Sequence, residues 1–417
     1  MQNRYRFWNV AIACFAATLI VAGCMAPQVQ QSGTQMAPSM GKTLAPDMAR
    51  LSTNGRISAI GASDNDADTA NQKVVRVGLL LPLTGRNADL GKALQDAATV
   101  SLFDKYARLS IRAQTVRVEL LPKDTGDTPQ QAASAAQQAI KDGAQFIIGP
   151  LFADATSSAA PYAHDKNINV LSFSNTRTQA SPGTYMFGFS PAEQTERIVN
   201  YAITNGHPRI AVLAPNSPLG ETVLAAARQV ASKQSQKIIE AKYLMQGAGI
   251  DTALNALVQA GKPPNFDAIL IPEGGAPLDT LMRGLAARGV RPANVKFLGT
   301  GLWDDAELLR RVNLEGAWFA SSPPELTSAF DTRFRDTYHY APPRITSLAY
   351  DAVALAVTLA TTGRSFDAVT LANPAGFQGP ANGIFRLRTD GTVQRGLAVM
   401  EVHGGNLTVI SPSPAGF

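Results

Sequence analysis

Val75-Arg76-Val77-Gly78-Leu79-Leu80-Leu81 decides how the rest of the chain is read. A strand with one wet face alternates apolar and polar residues; this run places apolar side chains on both faces. It reads as a strand buried on both sides, as inside a parallel sheet. Asn87 to Tyr106 then reads as a helix, with Leu90, Leu94, Ala97, Ala98, Leu102 and Phe103 on one face.

The strand–helix unit recurs. Val116–Leu121 is the next strand and Pro129–Lys141 the next helix. Phe146–Ile148, a helix from Asp154, and Asn169–Phe173 continue the pattern. A helix over Pro191–Asn205 leads to a strand at Arg209–Ala214, with later strands at Ala268–Pro272, Val295–Gly299 and Ala317–Ala320. Repeated units of this kind imply an α/β fold with a mainly parallel sheet flanked by helices. One barrel or two open sheets would both satisfy the repeat. The end of the chain favours two open sheets. After a helix over Ile345–Thr361, residues 383–388, 396–402 and 407–410 read as successive strands, with turns at Asp390-Gly391 and Gly404-Gly405. A terminal β meander does not continue a barrel repeat.

The N-terminus has a different character. Arg4 and Arg6 precede an apolar run, Val10–Ala22, of about 13 residues, shorter than the roughly 20 a spanning helix needs. Val21-Ala22-Gly23-Cys24 matches a lipobox, so residues 1–23 are expected to be a signal peptide and Cys24 the lipidated first residue of the mature chain. The other cysteine, Cys14, lies in the discarded segment, which leaves no internal disulfide and no cysteine metal cluster. Residues 24–73 are rich in Gln, Ser, Thr, Ala, Met and Pro without a sustained period, and read as a lipidated disordered tether. About 49 flexible residues have a root-mean-square span near ~40 Å and a full extension near ~160 Å.

Composition sets further bounds. The 417 residues are 45% hydrophobic and 17% charged, which suits a globular core. The formal charge of +5 loses Arg4 and Arg6 with the signal. The remaining bases are interspersed with acids and form no run, which argues against nucleic acid as a partner. The four histidines, His164, His207, His339 and His403, lack metal-ligand spacing. No G-x-S-x-G, H-E-x-x-H or strand-linked G-x-G-x-x-G occurs. The sequence is therefore expected to be non-enzymatic, with no catalytic residue, metal or cofactor.

Leu79-Leu80-Leu81-Pro82-Leu83-Thr84-Gly85, Asp124 before Thr128-Pro129-Gln130, and Ile147-Ile148-Gly149-Pro150-Leu151 resemble the opening of type I periplasmic binding proteins of the leucine-binding kind. A narrower set resembles the penicillin-binding protein activator lipoproteins of the same superfamily. It comprises Phe173-Ser174-Asn175-Thr176, Phe187-Gly188-Phe189-Ser190, Pro272-Glu273-Gly274-Gly275, Gly299–Asp305, Ser347–Asp351 and Gly383–Leu387 with Asp390-Gly391. The resemblance runs from about Val74 to the C-terminus. It implies a two-lobed domain over 74–417, with three hinge crossings near Ser190, Ser321 and Asn373. Lobe one would be 74–190 and 321–372; lobe two would be 191–320 and 373–417. It implies a partner as well: a bifunctional peptidoglycan synthase that the protein activates. The alternative it implies is a substrate-binding lipoprotein of an ABC transporter for amino acids, partnered by a permease. Met25, where many inner-membrane lipoproteins have Asp, favours the periplasmic face of the outer membrane.

In either case several strand–helix turns should meet at a cleft. The candidate ligand residues are Thr84, Gly85, Thr156, Ser174, Asn175, Thr176, Asn216, Glu273, Gly274, Gly301, Trp303 and Asp304. Thr156, Ser174 and Thr176 would meet a carboxylate together with helix N-terminal amides, and Glu273 or Asp304 an ammonium. Ala153-Asp154-Ala155 interrupts the hydroxyl run of the transport relatives and puts a repelling carboxylate beside that position. Turn chemistry explains the same residues in another way: Asp154 and Asn216 as helix caps, the glycines for positive φ. Trp303 either stacks on a ligand or packs in a wall, whereas Trp318 reads as core.

Overall fold

A computed structural model describes residues 55–59, 73–109, 115–245, 248–259 and 262–417. The expectations for the signal peptide and Cys24 fall outside the described residues. Among those residues no helix is long and apolar enough to cross a membrane.

The first sheet is built from β1 (Ile57–Ser58), β2 (Lys73–Leu81), β3 (Val116–Asp124), β4 (Phe146–Ile148), β5 (Val170–Ser172) and β6 (Thr184–Met186), in the order β1-β3-β2-β4-β5-β6. All pairs are parallel except β1, which lies antiparallel on β3. The crossovers include α1 (Ala88–Ala107), α2 (Pro129–Lys141) and α3 (Ala153–His164). α2 begins where Thr128 and Gln131 form a reciprocal capping box ahead of Pro129.

The chain then builds a second sheet. Its units are α4 (Pro191–Thr204), β7 (Ile210–Pro215), α5 (Pro218–Lys233), β8 (Ile239–Tyr243), α6 (Gly249–Leu257), β9 (Ala268–Leu270), α7 (Gly275–Ala287), β10 (Lys296–Gly299), α8 (Ala306–Arg311) and β11 (Trp318–Ser321). The last part of the chain supplies α9 (Pro324–Tyr338), α10 (Thr346–Thr361), α11 (Ala368–Leu371), β12 (Phe377–Gly379), β13 (Gly383–Leu387), β14 (Val393–Arg395), β15 (Ala398–His403) and β16 (Asn406–Ser411). The second sheet runs β16-β15-β11-β10-β9-β7-β8, parallel from β11 to β8 and antiparallel at β15 and β16.

The opening run is buried on both faces. Val75, Val77, Leu79 and Leu81 face a core shared with α1, α9 and α10, while Leu80 packs with alanines of α2 and α3 on the other face. The second sheet repeats the arrangement: Leu213, Ile269, Phe297 and Phe319 pack towards α6, α7 and α8, and Val212, Leu270, Leu298 and Ala320 towards α4 and α5. Burial at about 25 cal/mol per Å² of apolar surface makes these faces the main source of stability. Trp318 is core, as its pattern implied.

Two features depart from the sequence reading. The first lies in the stretch read as a tether. Ile57 and Ala59 are buried against the first core, β1 pairs with Leu120 and Glu119, and Arg56 donates to Glu119 at 3.4 Å. A two-residue strand is too short to show a period, so composition alone hid it. The second concerns residues 373–417, read as part of lobe two. β12, β13 and β14 form a separate antiparallel sheet whose Phe385, Leu387 and Val393 belong to the first core. Only β15 and β16 join the second sheet. The third passage between cores therefore follows Arg395, not Asn373. Residues 383–387 and 398–403 both look like ordinary strands, and nothing in their alternation says which sheet they join.

Candidate functional site

The strand ends of the first lobe are tied down by their own hydrogen bonds. Asp124, at the end of β3, accepts from the amides of Leu83 and Thr84 at 2.8 and 3.1 Å, from Gly126 N at 2.8 Å, and from the Thr84 hydroxyl. Burial works against its charge, but these donors outweigh it and hold its pKa below the usual carboxylate range. Gly85 has a φ of +84°, and a Cβ there would collide with the Asp127 carboxylate. Only glycine lets the Asp127 side chain close over this turn and accept from Arg86 N at 3.0 Å.

The hydroxyl candidates face inward. Thr156 is 1% exposed; its Oγ1 donates to Phe152 O at 2.8 Å and lies 2.6 Å from Ser172 Oγ. Ser174 is buried and accepts from Thr176 N at 3.2 Å, and the exposed Asn175 reaches Phe189 O at 3.3 Å. In the second lobe Glu273 accepts from the Tyr243 hydroxyl. Trp303 is fully buried, with its Nε1 donating to Glu273 O at 2.8 Å and its ring against Gly299. Of its two readings, wall packing is the one the structure has; its face is not free for a ligand. Gly274 precedes α7 and packs beside Leu302. Asn216 is exposed and its backbone N–H donates to Tyr243 O at 2.9 Å, while its neighbour Ser217 caps α5. Asp154 stands in the first turn of α3, after Phe152 at the cap position. Neither Asn216 nor Asp154 is therefore the cap residue.

Gly301 and Asp304 meet a residue that the sequence reading did not single out. Arg344, just before α10, donates Nη1 to Gly301 O and Nη2 to Ser321 Oγ. Its Nη2 also lies 3.6 Å from Asp304 Oδ2, which accepts from Ser321 Oγ at 2.8 Å. The guanidinium stacks 4.8 Å from the Phe189 ring centre. Gly301 N donates to Gln194 Oε1 at 3.1 Å. Arg344 thus joins a segment packed on the first core to the loop after β10. Pro342-Pro343-Arg344 carries no local pattern that would reveal this reach.

A cavity of 370 Å³ opens at the ends of β2 and β3 and the start of α3. Arg86, Asp127, Phe152 and Asp154 line it; none of the twelve candidate residues does. Its walls bring two carboxylates and one guanidinium together. An amino acid would find Asp127 and Asp154 there for its ammonium, and for its carboxylate Arg86, which already stands 3.8 Å from Asp127. The turn signal after Leu81 located this region but not its lining, because Gly85 turns the chain so that Arg86 and Asp127 line it. Among the described residues no group of three His, Cys, Asp or Glu side chains is placed to hold a metal.

A family model described as periplasmic binding protein matches residues 74–406. A penicillin-binding protein activator LpoA from Photobacterium profundum is 32% identical over 152 residues, 36% of this chain and 23% of the relative. The LpoA of Dickeya chrysanthemi is 25% identical over 340 residues, covering 70% of this chain and 47% of its own length. The chain thus spans less than half the length of these relatives. A branched-chain amino acid ABC transporter periplasmic ligand-binding protein from Burkholderia xenovorans shares the fold at a TM-score of 0.64, with 17% identity and coverage of 81% and 96%. Two parallel-sheet cores, an antiparallel end to the second sheet and a family match over most of the described residues lead to one conclusion: the chain belongs to the periplasmic binding protein family.

Proposed function

We propose that this chain is a lipid-anchored, non-enzymatic regulator of peptidoglycan synthesis that binds and activates a penicillin-binding protein from the periplasmic face of the outer membrane. The observation that carries the reading is the similarity to penicillin-binding protein activators along 70% of the chain. The geometry agrees with it. Thr156, Ser174, Glu273, Gly301 and Asp304, which a solute receptor would turn towards its ligand, are hydrogen-bonded to the protein itself. A pull-down of purified bifunctional peptidoglycan synthases on the immobilised chain tests it. Specific retention of a synthase is the expected result; no retention of any of them removes the reading.

The second reading is a solute-binding lipoprotein of an amino-acid transporter. The 370 Å³ cavity at the strand ends favours it, since open α/β sheets bind ligands at such ends. Calorimetry with amino acids and short cell-wall peptides separates the two. Micromolar binding that Asp127→Asn weakens supports the second reading.

A further inference from the structure

Four arginines gather at one groove with no carboxylate oxygen within ion-pair distance among the described residues. Arg386 of β13 donates Nε to Gln394 Oε1 at 2.8 Å and Nη1 to Pro374 O at 3.4 Å. Arg388 donates Nη2 to the same Gln394 oxygen at 2.8 Å. Arg197 of α4 donates to Leu397 O at 3.0 Å and Ser411 Oγ at 2.6 Å. Among the described residues Arg395 of β14 donates only to Phe187 O, and its buried Nε and Nη1 meet no acceptor. Other guanidinium groups of the fold do meet acids, as in Arg209–Asp267, Arg228–Glu240 and Arg333–Asp104.

Arg395 is the unusual member. It is 5% exposed and lies 4.2 Å from the ring centre of Phe187, with Phe189 and Phe385 at 5.5 and 5.7 Å. Aromatic faces attract a cation but do not satisfy its in-plane N–H groups. Burying a charge without an acceptor is costly. Two acids, Glu193 and Glu196, share the groove with these arginines and with Arg177, and the charges of Asp351 and Glu193 favour the Arg395 cation without a hydrogen bond to it among the described residues. Burial pushes Glu193 up to about 8 although Arg395 pulls the other way, and Glu196 stands 4.0 Å from Arg177.

These residues line a groove of 540 Å³, closed on another side by Val230 and the segment from Pro412 to Phe417. It shares no lining residue with the 370 Å³ cavity. A guanidinium fork matches a carboxylate or phosphate through two parallel N–H bonds, and several forks around one groove suit several anionic groups. We propose that this groove binds a small molecule carrying two or more carboxylate or phosphate groups. Arg386, Arg388 and Arg395 come from the hairpin of β13 and β14, which packs on the first core, and Arg197 from a helix of the second. A bound polyanion would therefore contact both halves of the fold.

The test is calorimetry on the purified full chain with pyrophosphate and with citrate, and acetate at matched ionic strength as control. Pyrophosphate or citrate should bind and acetate should not, the tighter probe naming the anionic group. Arg388→Glu, an exposed position, should weaken binding by about tenfold or more, and Asp127→Asn in the other cavity should leave it unchanged. Arg388→Glu that keeps the native circular dichroism spectrum guards against loss by unfolding. No heat from either multivalent probe, or equal affinity in Arg388→Glu, overturns the proposal.

Discussion

Arg344 donates to the carbonyl oxygen of Gly301, joining the segment before α10 to the loop after β10. The contact crosses from residues packed on the first core to residues packed on the second. Replacing Arg344 with alanine leaves the Gly301 carbonyl without this donor, leaves the Ser321 hydroxyl with only its bond to Asp304, and removes the cation beside Asp304. An unsatisfied buried group costs about 1–3 kcal/mol. Arg344→Ala should lower the unfolding free energy by that amount in urea titrations. A double cycle with Asp304→Ala should show coupling between the two sites, since they share Ser321.

Asp124 gathers three amides and a hydroxyl into one carboxylate. Asp124→Asn replaces an acceptor oxygen with a donor facing other donors. Chemical denaturation should show a loss on the order of 2 kcal/mol. The pH dependence should follow. Because the folded pKa is depressed, the stabilisation is present above the ordinary aspartate value and is lost as pH falls through the folded value. The variant should lack that component of the acid limb.

Asp351 titrates with the opposite sign. Burial raises it from 3.8 to about 6, even though Ala381 N and Asn382 donate to it. The folded state then holds a proton that the unfolded chain has released, so this group's contribution to stability falls as pH rises from about 4 to about 6. Asp351→Asn should flatten stability across that window in a series of denaturation curves.

Much of the architecture was legible in the sequence, and the reasons are local. The run Val75–Leu81 shows burial on both faces directly, and the pair Thr128-Pro129 marks the start of α2. What could not be read depended on distant partners. The alternation over Gly383–Leu387 identifies a strand, but the sheet it joins is fixed by Phe385 meeting Phe187. Trp303, between Gly301 and Asp304, looks like part of an open loop until Gly299 is seen to leave room for its ring. The sequence pattern places the candidate residues in strand–helix turns but carries no information on the directions of their side chains. Thr156 turns to Ser172 because it lies on the inner face of α3.

Ile57 tests how firmly the stretch before β2 is docked. Its side chain is 3% exposed and belongs to the first core. Ile57→Asp places an unpaired carboxyl there and should cost about 2 kcal/mol or more, read as a lower urea midpoint. Arg56→Ala, at a partly buried ion pair with Glu119, should cost less than about 1 kcal/mol, because Arg76 and Arg117 also reach that acid.

The most direct test of the proposed function is the rate of glycan-strand polymerisation by purified bifunctional synthases, with and without the purified chain. The account predicts a dose-dependent rise in rate with one synthase that saturates at stoichiometric amounts. Unchanged rates with every synthase, alongside micromolar amino-acid binding in the 370 Å³ cavity, would contradict it.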